Sequence, residues 1–214
     1  MTARHYFSNE HLSMHSKVEQ CTARPDGDFE IILDGTLFHP QGGGQPSDAG
    51  YIAGVKVNRV FQSGDMIIHL TDQPVNVGVA FIEVFPDVRH LHTQLHSAGH
   101  LIGCYGELAG LQAIKGHHWP GEARVVFESK DASNTEADTA LLAAEIEQQI
   151  NAWVAANLPR KTSLADGQRQ IGFGDLPAHA CGGTHVMATA QIGKIKITRV
   201  KEKKGQLSVH YDLA

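Results

Sequence analysis

Cysteine is scarce in this chain, and no stretch of it is strongly apolar. The 214 residues include 3 cysteines, which are Cys21, Cys104 and Cys181. Three scattered thiols cannot form a disulfide framework, which points to a reducing compartment. No segment approaches the roughly 20 apolar residues of a membrane span, and the first 20 residues lack the apolar run of a signal peptide. We therefore expect a cytoplasmic protein with no membrane partner.

Positive charge is also in short supply. Lys and Arg total 18 against 23 Asp and Glu, so the formal net charge is -5. The chain as a whole is not a basic nucleic-acid coat, and we expect no DNA partner, although a local basic patch is compatible with RNA. The hydrophobic content of 42% is that of a globular protein and excludes disordered and collagen-like classes.

Several familiar catalytic and metal-binding motifs are missing. The sequence has no GxxxxGK[ST] phosphate loop, no HExxH pair, no CxxC pair and no GxSxG nucleophile elbow. These absences exclude P-loop nucleotide hydrolases, HExxH metalloproteases, classical zinc fingers and α/β-hydrolases.

The first part of the chain has the pattern of short strands. β-branched runs with period-2 spacing are separated by turn signals, and Ser63-Gly64-Asp65 is typical of a hairpin turn. The predicted strands cover residues 29–38, 55–61, 66–70 and 75–84. Strands at this spacing favour a small β-barrel, which we place in a domain over residues 1–87.

The pattern changes to α+β near Pro86. A helical stripe predicts a helix over residues 89–108 that ends near Gly110, and a capping-box spacing at 133–136 predicts the start of a second helix. The tail returns to strands over 192–201 and 206–213. We therefore predict a second, α+β domain over residues 88–214.

Histidine is abundant, at 14 residues, and three of them share one helical face. His92, His96 and His100 recur every fourth residue, so neighbouring imidazoles lie one turn apart. Such a pair can bind one metal ion, and it is a common half of a zinc site. A polar helix face with unremarkable histidines is the alternative.

A second half-site follows in the segment HACGGTHV. Cys181 and His185 are four residues apart, and Gly182 and Gly183 between them favour a tight loop over a helix. One thiolate with imidazoles suits tetrahedral zinc. Spacing alone does not choose between the pairs His92/His96 and His96/His100, and it leaves two further candidates, His118 and His179.

A glycine-rich segment, GTLFHPQGGGQPSDAG, lies between predicted strands at residues 35–50. Gly42, Gly43 and Gly44 permit close approach of the backbone to a ligand, with their N–H groups and the Gln45 amide as donors. The alternative is a long surface turn.

Three segments in this order, GGGQPSDAG, HSAGHLI and CGGTHV, resemble the editing domain of alanyl-tRNA synthetase and its free-standing relatives, the AlaX family. KGHHWP and the tail IGKIKITRVKEKKG are also similar to that family. The resemblance implies that the second domain has the fold of the threonyl/alanyl-tRNA synthetase second additional domain. It implies Zn2+ as cofactor, with the ligands His96, His100, Cys181 and His185.

The resemblance also implies a function. The family hydrolyses the ester that joins serine, or glycine, to alanine-accepting tRNA, so mischarged tRNA(Ala) is the expected partner. Gln45 matches a glutamine near the substrate, and Thr36 matches a threonine that we link to recognition of the serine hydroxyl. Editing of another mischarged tRNA in the threonyl system, or a non-catalytic zinc-stabilised tRNA-binding module, stays open as an alternative.

Further residues complete the expected site. Backbone N–H groups of Gly42–Gly44 or Gly182–Gly183 are candidates to orient water or bind an oxyanion, and His118 is a candidate pocket residue. A basic stretch near the C-terminus is the expected tRNA-binding surface, unless it is a solvated edge strand. It comprises Lys194, Lys196, Arg199, Lys201, Lys203 and Lys204.

Overall fold

A computed structural model describes residues 1–8, 10–129, 139–203 and 205–214 of the chain. The chain divides into two compact units, Met1–Leu91 and His92–Ala214. Both are rich in strands, so the predicted mixture of helix and strand is confirmed. The predicted domain boundary between residues 87 and 88 stays a prediction, because compactness does not test independent folding.

The first unit is made almost entirely of strands. They are β1 (Ala3–Arg4), β2 (Ser13–Ala23), β3 (Phe29–Leu33), β4 (Gly35–Thr36), β5 (Gly50–Ile52), β6 (Val55–Ser63), β7 (Met66–Thr71) and β8 (Gly78–Val84). Six of them pair in the order β2-β3-β7-β6-β5-β8, and β8 pairs again with β2, which closes the ring. The short strands β1 and β4 pair in parallel beside it.

Alternation of apolar and polar residues explains the strands of this ring. In β8, Ala80, Ile82 and Val84 face the core while Val79, Phe81 and Glu83 face outward. The predicted hairpin at 63–65 is confirmed, because Ser63 pairs with Met66 across Gly64, whose φ of 58° suits glycine. The sequence does not predict strand β2, since its mainly polar residues lack such alternation.

The second unit contains most of helix α1 (Pro86–Leu108), together with helix α2 (Thr139–Ala155). Its strands are β9 (Leu111–His117), β10 (Arg124–Ser129), β11 (Arg160–Ala165), β12 (Gln168–Phe173), β13 (His179–Ala180), β14 (Ile195–Lys203) and β15 (Gln206–Leu213). One sheet has the order β14-β15-β10-β9 and the other β11-β12-β13.

Helix α1 is the element that matters most for the site. Its apolar face enters the core of the second unit, where Leu95, Leu101 and Ile102 are fully buried. The predicted helix is confirmed, and Gly110, with φ of 80°, follows its end. The predicted capping box at 133–136 lies outside the described residues. No helix in the described part of the chain has the length and apolar character needed to cross a membrane.

Candidate metal centre

Four side chains that can bind a metal converge in the second unit. Helix α1 carries His96 and His100, and the loop after β13 carries Cys181 and His185. Their ligand atoms all lie within 4.8 Å of one another. Cys181 Sγ lies 3.5 Å from His96 Nε2 and 3.2 Å from His185 Nε2.

This donor set fits zinc. A tetrahedral ion with bonds of roughly 2.0–2.3 Å separates its ligand atoms by about 3.3–3.8 Å. The two sulfur–nitrogen distances, 3.5 and 3.2 Å, are close to that range. Three imidazole nitrogens and one sulfur are also the ligands that zinc commonly takes. The four residues therefore suit a zinc site with one cysteine and three histidine ligands.

Burial keeps the imidazoles of His100 and His185 neutral, which is the form that binds a metal. Burial lowers the pKa of His100 to about 3 and that of His185 well below its usual value, and nearby positive or titratable groups add to the effect. Burial raises the pKa of the Cys181 thiol, against the hydrogen bond from Gly183. The thiol proton must therefore be lost when a metal binds.

Ser97, between the two helical histidines, fixes the orientation of His185. The Ser97 hydroxyl donates to the Thr93 carbonyl at 2.7 Å, so its single proton is used. At 3.4 Å from Ser97 Oγ, His185 Nδ1 must then be the donor. Nε2 of the neutral ring is left with its lone pair facing Cys181.

The CGGTH loop is held against its own unit by further hydrogen bonds. Val186 N donates to Ser97 Oγ at 3.1 Å, and the Thr93 and Thr184 hydroxyls are 2.7 Å apart. Arg169 Nη1 donates to the carbonyls of Cys181 and Gly183, at 3.0 and 2.9 Å. The loop is thus tied both to α1 and to β12.

The two glycines of this loop differ. Gly183 is buried, and its N–H donates to Cys181 Sγ at 3.3 Å, so it supports the sulfur. Gly182 is exposed. The Gly183 N–H thus already has a partner in the structure, and the expectation that Gly182 and Gly183 are oxyanion or water-orienting candidates stays a prediction.

His118 lies against the cluster without being one of the four. Its ring stacks on His96 with centroids 4.7 Å apart and planes at 19°. Tyr211 Oη donates to the Leu95 carbonyl at 2.9 Å, so His118 Nδ1, 2.6 Å away, donates to Tyr211. Burial lowers the pKa of His118 to about 4, so the ring is neutral and braces His96.

The other candidate histidines lie outside the group of four. His92 is buried on α1 one turn before His96. His179 Nε2 lies 3.6 Å from Cys104 Sγ and 3.5 Å from Glu107 Oε2. Burial and then the Glu107 charge raise the pKa of Cys104 to about 12, so its thiol stays protonated and is not an activated nucleophile.

Thr36 and Gln45 are both buried in the first unit. His69 Nδ1 lies 3.1 Å from the Ile31 carbonyl, which can only accept, so Nδ1 carries the proton. Burial lowers the pKa of His69 to about 4, which leaves Nε2 bare. The Thr36 hydroxyl, 2.8 Å away, must donate to it, while Phe38 N donates to Thr36 Oγ1 at 3.1 Å. Thr36 Oγ1 can therefore accept a hydrogen bond from a further partner, but it has no proton left to donate.

The glycine-rich segment forms a tight turn. Gly42 and Gln45 exchange backbone hydrogen bonds of 3.1 and 2.9 Å across Gly43 and Gly44, whose φ values of 56° and 79° favour glycine. The Gly42 N–H is used inside the turn, and the expected role of this segment in orienting water or binding an oxyanion stays a prediction. Gly43 and Gly44 stay candidates.

Asp48, near the end of this segment, has a structural role. It forms a buried ion pair with Arg89 and accepts a hydrogen bond of 2.6 Å from His39 N. Arg89 also donates to the Leu37 carbonyl at 2.6 Å. The carboxylate is therefore committed to holding the chain around residues 37–48.

The basic stretch lies on and beside the edge strand β14, and most of its described members are exposed. Lys204 lies outside the described residues. Strand β14 has a bulge between Ile197 and Arg199. Beyond it, Arg199 on β14, His210 on β15 and Arg124 on β10 form a row across the three strands. The pKa of His210 is lowered by burial and then by Arg124, Arg199 and Lys201. Positive charge therefore accumulates there.

Sequence reasoning missed three contributors, His69, Ser97 and Arg124. His69 does have a signal, since it is a polar residue inside the apolar run MIIHL. The roles of Ser97 and Arg124 depend on partners far away in sequence, which no local pattern shows.

Comparisons with known proteins agree with this geometry. Residues 169–208, which include Cys181 and His185, match the family "Threonyl and Alanyl tRNA synthetase second additional domain". The alanine–tRNA ligase of Methanothermobacter thermautotrophicus is 32% identical over 201 residues, which cover 80% of this chain and 22% of the ligase. The alanyl-tRNA editing protein Aarsd1 of Mus musculus is 31% identical over 198 residues, covering 82% of this chain and 47% of Aarsd1.

The chain spans about half the length of the mouse protein and about a fifth of the ligase. A second ligase, from Archaeoglobus fulgidus, is 31% identical over 205 residues, which cover 82% of this chain and 22% of the ligase. Of the three segments GGGQPSDAG, HSAGHLI and CGGTHV, the last lies within the residues 169–208 that match the family. The chain is therefore related, over about four fifths of its length, to the alanyl-tRNA editing protein Aarsd1 and to alanine–tRNA ligases.

Proposed function

We propose that this protein is a zinc-dependent hydrolase that removes serine, and also glycine, from mischarged tRNA(Ala). The observation that carries the proposal is the convergence of His96, His100, Cys181 and His185 within 4.8 Å. The names of its relatives, an alanyl-tRNA editing protein and alanine–tRNA ligases, supply the substrate class.

Bound zinc would supply a Lewis acid beside the ester. The residues of the chain prepare the site for it. Ser97 turns the lone pair of His185 Nε2 toward the cluster, and His118 braces the ring of His96. Gly43 and Gly44 are the remaining glycine-rich candidates to orient water or substrate by their N–H groups, together with Gln45.

Selection of serine over alanine follows from the polarity of Thr36. Its proton is given to His69, so a ligand hydroxyl that reaches Thr36 must donate. Thr36 Oγ1 already accepts one hydrogen bond from Phe38 N, and a serine hydroxyl would donate to its second lone pair, which the methyl group of alanine cannot do. A site built to bind a hydroxyl rejects the analogue that lacks it, which spares correctly charged Ala-tRNA(Ala).

Binding of tRNA is assigned to the row Arg124–His210–Arg199 with Lys201. Phosphate contacts from such a row make affinity fall with salt, with a slope that grows with the number of contacts. Lys196 is opposite Asp212 in the ladder. We therefore expect it to contribute less than Arg199.

The deciding experiment measures deacylation of Ser-tRNA(Ala), Gly-tRNA(Ala), Ala-tRNA(Ala) and Ser-tRNA(Thr), with and without a chelator. We expect rapid release from the first two, little from Ala-tRNA(Ala), and loss of activity with the chelator. Hydrolysis confined to Ser-tRNA(Thr) would show the threonyl alternative instead. Binding of tRNA without any hydrolysis would show the non-catalytic module.

Metal content tests the ligand assignment separately. His96→Ala or Cys181→Ala is expected to lower bound zinc to well below one equivalent. His90→Ala removes an exposed histidine of the same helix and serves as the matched control. Full zinc retention in both ligand variants would refute the assignment.

A further inference from the structure

A cavity of about 390 Å³ opens beside the metal centre, within the second unit. Its walls come from the C-terminal half of α1, the start of β9 and β13. They are formed by Gly103, Glu107, Leu111, Gln112, Ala113 and His179. The volume lies within the roughly 300–1,000 Å³ of small-molecule sites.

The cavity is connected to the metal cluster by direct contact. The rings of His179 and His100 lie 5.9 Å apart, and Glu107 Oε2 reaches to 3.5 Å from His179 Nε2. Gly103 lies between His100 and Glu107 on the same side of α1, and a side-chain carbon there would meet no atom within 4 Å. A group held in this cavity would therefore lie beside His179, which contacts the cluster residue His100.

The chemistry of the walls selects the part of the substrate that fits. The Glu107 carboxylate would repel a phosphate but accepts hydrogen bonds from a hydroxyl group. Leu111 and Ala113 give an apolar wall for a base, and Gln112 adds an exposed amide that can both donate and accept. The space is much larger than a serine side chain needs, so it suits a nucleoside better than the amino acid.

We propose that this cavity binds the 3′-terminal nucleoside of the tRNA, with Glu107 accepting a hydrogen bond from the free hydroxyl of the terminal ribose. The proposal rests on the proposed function, because an aminoacyl ester is attached to that ribose. The ribose must then lie beside the reacting carbonyl, and the cavity adjoins the cluster at that point.

The test uses the full-length protein with its metal and three trinucleotides. They are CpCpA and its analogues with 2′-deoxyadenosine or 3′-deoxyadenosine at the end. Binding is followed by NMR shifts of the backbone amides of Leu111–Ala113. We expect CpCpA to shift these amides, and Glu107→Gln to weaken its binding roughly tenfold, as for loss of a hydrogen bond to a charged group. The Glu107→Gln variant should bind at least one deoxy analogue as well as the wild type does.

Glu122→Gln is the matched control, because Glu122 is exposed and pairs with His117 instead. It should bind all three trinucleotides like the wild type. The proposal is overturned if CpCpA shifts no β9 amide, or if Glu107→Gln weakens all three ligands equally.

A third overturning result would be that Glu107→Gln leaves CpCpA binding unchanged but slows hydrolysis of Ser-tRNA(Ala) relative to its N-acetyl form. Glu107 would then bind the α-ammonium group. Because trinucleotide binding needs no hydrolysis, failure here with normal deacylation refutes the cavity alone. Absence of deacylation by the wild type refutes the proposed function.

Discussion

Replacement of Gly99 by alanine should destabilise the second unit, although alanine is the better helix former. A Cβ atom at Gly99 would lie 2.3 Å from Cε1 and 2.5 Å from Nδ1 of His118, and 2.7 Å from Tyr211 Oη. The His118 ring also packs closely against the backbone of Gly116, where a Cβ atom would lie 2.6 Å from His118 Nε2. The ring therefore has little room to move away from residue 99. His118 is thus enclosed between two glycine backbones.

The magnitude follows from three effects. The gain in helix propensity is about 1 kcal/mol. Overpacking costs about 1–3 kcal/mol, and loss of the His118–Tyr211 hydrogen bond about 0.5–1.5 kcal/mol. The net expectation for Gly99→Ala is a destabilisation of about 0.5–3.5 kcal/mol.

Gly103→Ala is the matched control one turn later on the same helix. Its Cβ atom would meet no atom within 4 Å, so helix propensity alone predicts a stabilisation of up to about 1 kcal/mol. Urea unfolding of both variants in chelator, with helix and tertiary signals followed together, measures the difference without metal. Equal effects of the same sign at both positions would refute the argument from close approach.

Three further outcomes are expected. Ser97→Ala should weaken zinc affinity by about 10- to 100-fold in competition with a chromophoric chelator, because His185 loses the partner that fixes its tautomer. Because burial lowers the pKa of His69 to about 4, the free energy of unfolding should be constant above about pH 6.5 and should fall as the pH drops toward about 4. The decrease is about 3 kcal/mol. In urea unfolding, His69→Gln should make the free energy of unfolding depend less on pH over this range. Asp48→Ala should lower the free energy of unfolding by about 3–5 kcal/mol, because Arg89 is left buried without the carboxylate it pairs with. A decrease below about 1 kcal/mol in urea unfolding would show that the ion pair is not needed for stability.

Local patterns are sufficient for some elements and not for others. Helix α1 and strands β6, β7, β14 and β15 follow from periodicity and turn residues, and the structure has them close to the predicted bounds. Strand β2 escapes such reasoning because only Ser16 and Val18 of its eleven residues are buried. Its place in the ring is set by pairing with β3 and β8, and β8 is distant in sequence.

The metal cluster is likewise predicted in part by local patterns and in part only by the three-dimensional structure. Spacing identifies two half-sites but leaves the choice between His92/His96 and His96/His100 open, since both pairs are four apart. The geometry groups His96 with His100 and leaves His92 outside. Contacts of Thr93 and Ser97 with the second half-site accompany this register, and such contacts have no counterpart in a local pattern.

The negative net charge and a tRNA partner are compatible because the charges are separated in space. Counting along the chain finds the cations of β14 but not Arg124, which is far earlier in the sequence and joins the row through pairing of β10 with β15 and of β15 with β14. In the middle of that row the pKa of His210 is lowered first by burial and then by the positive charges of Arg124, Arg199 and Lys201. The sign of the whole chain therefore says little about this face, since screening in salt confines electrostatic effects to about 10 Å, and the register of the sheet decides which cations act together.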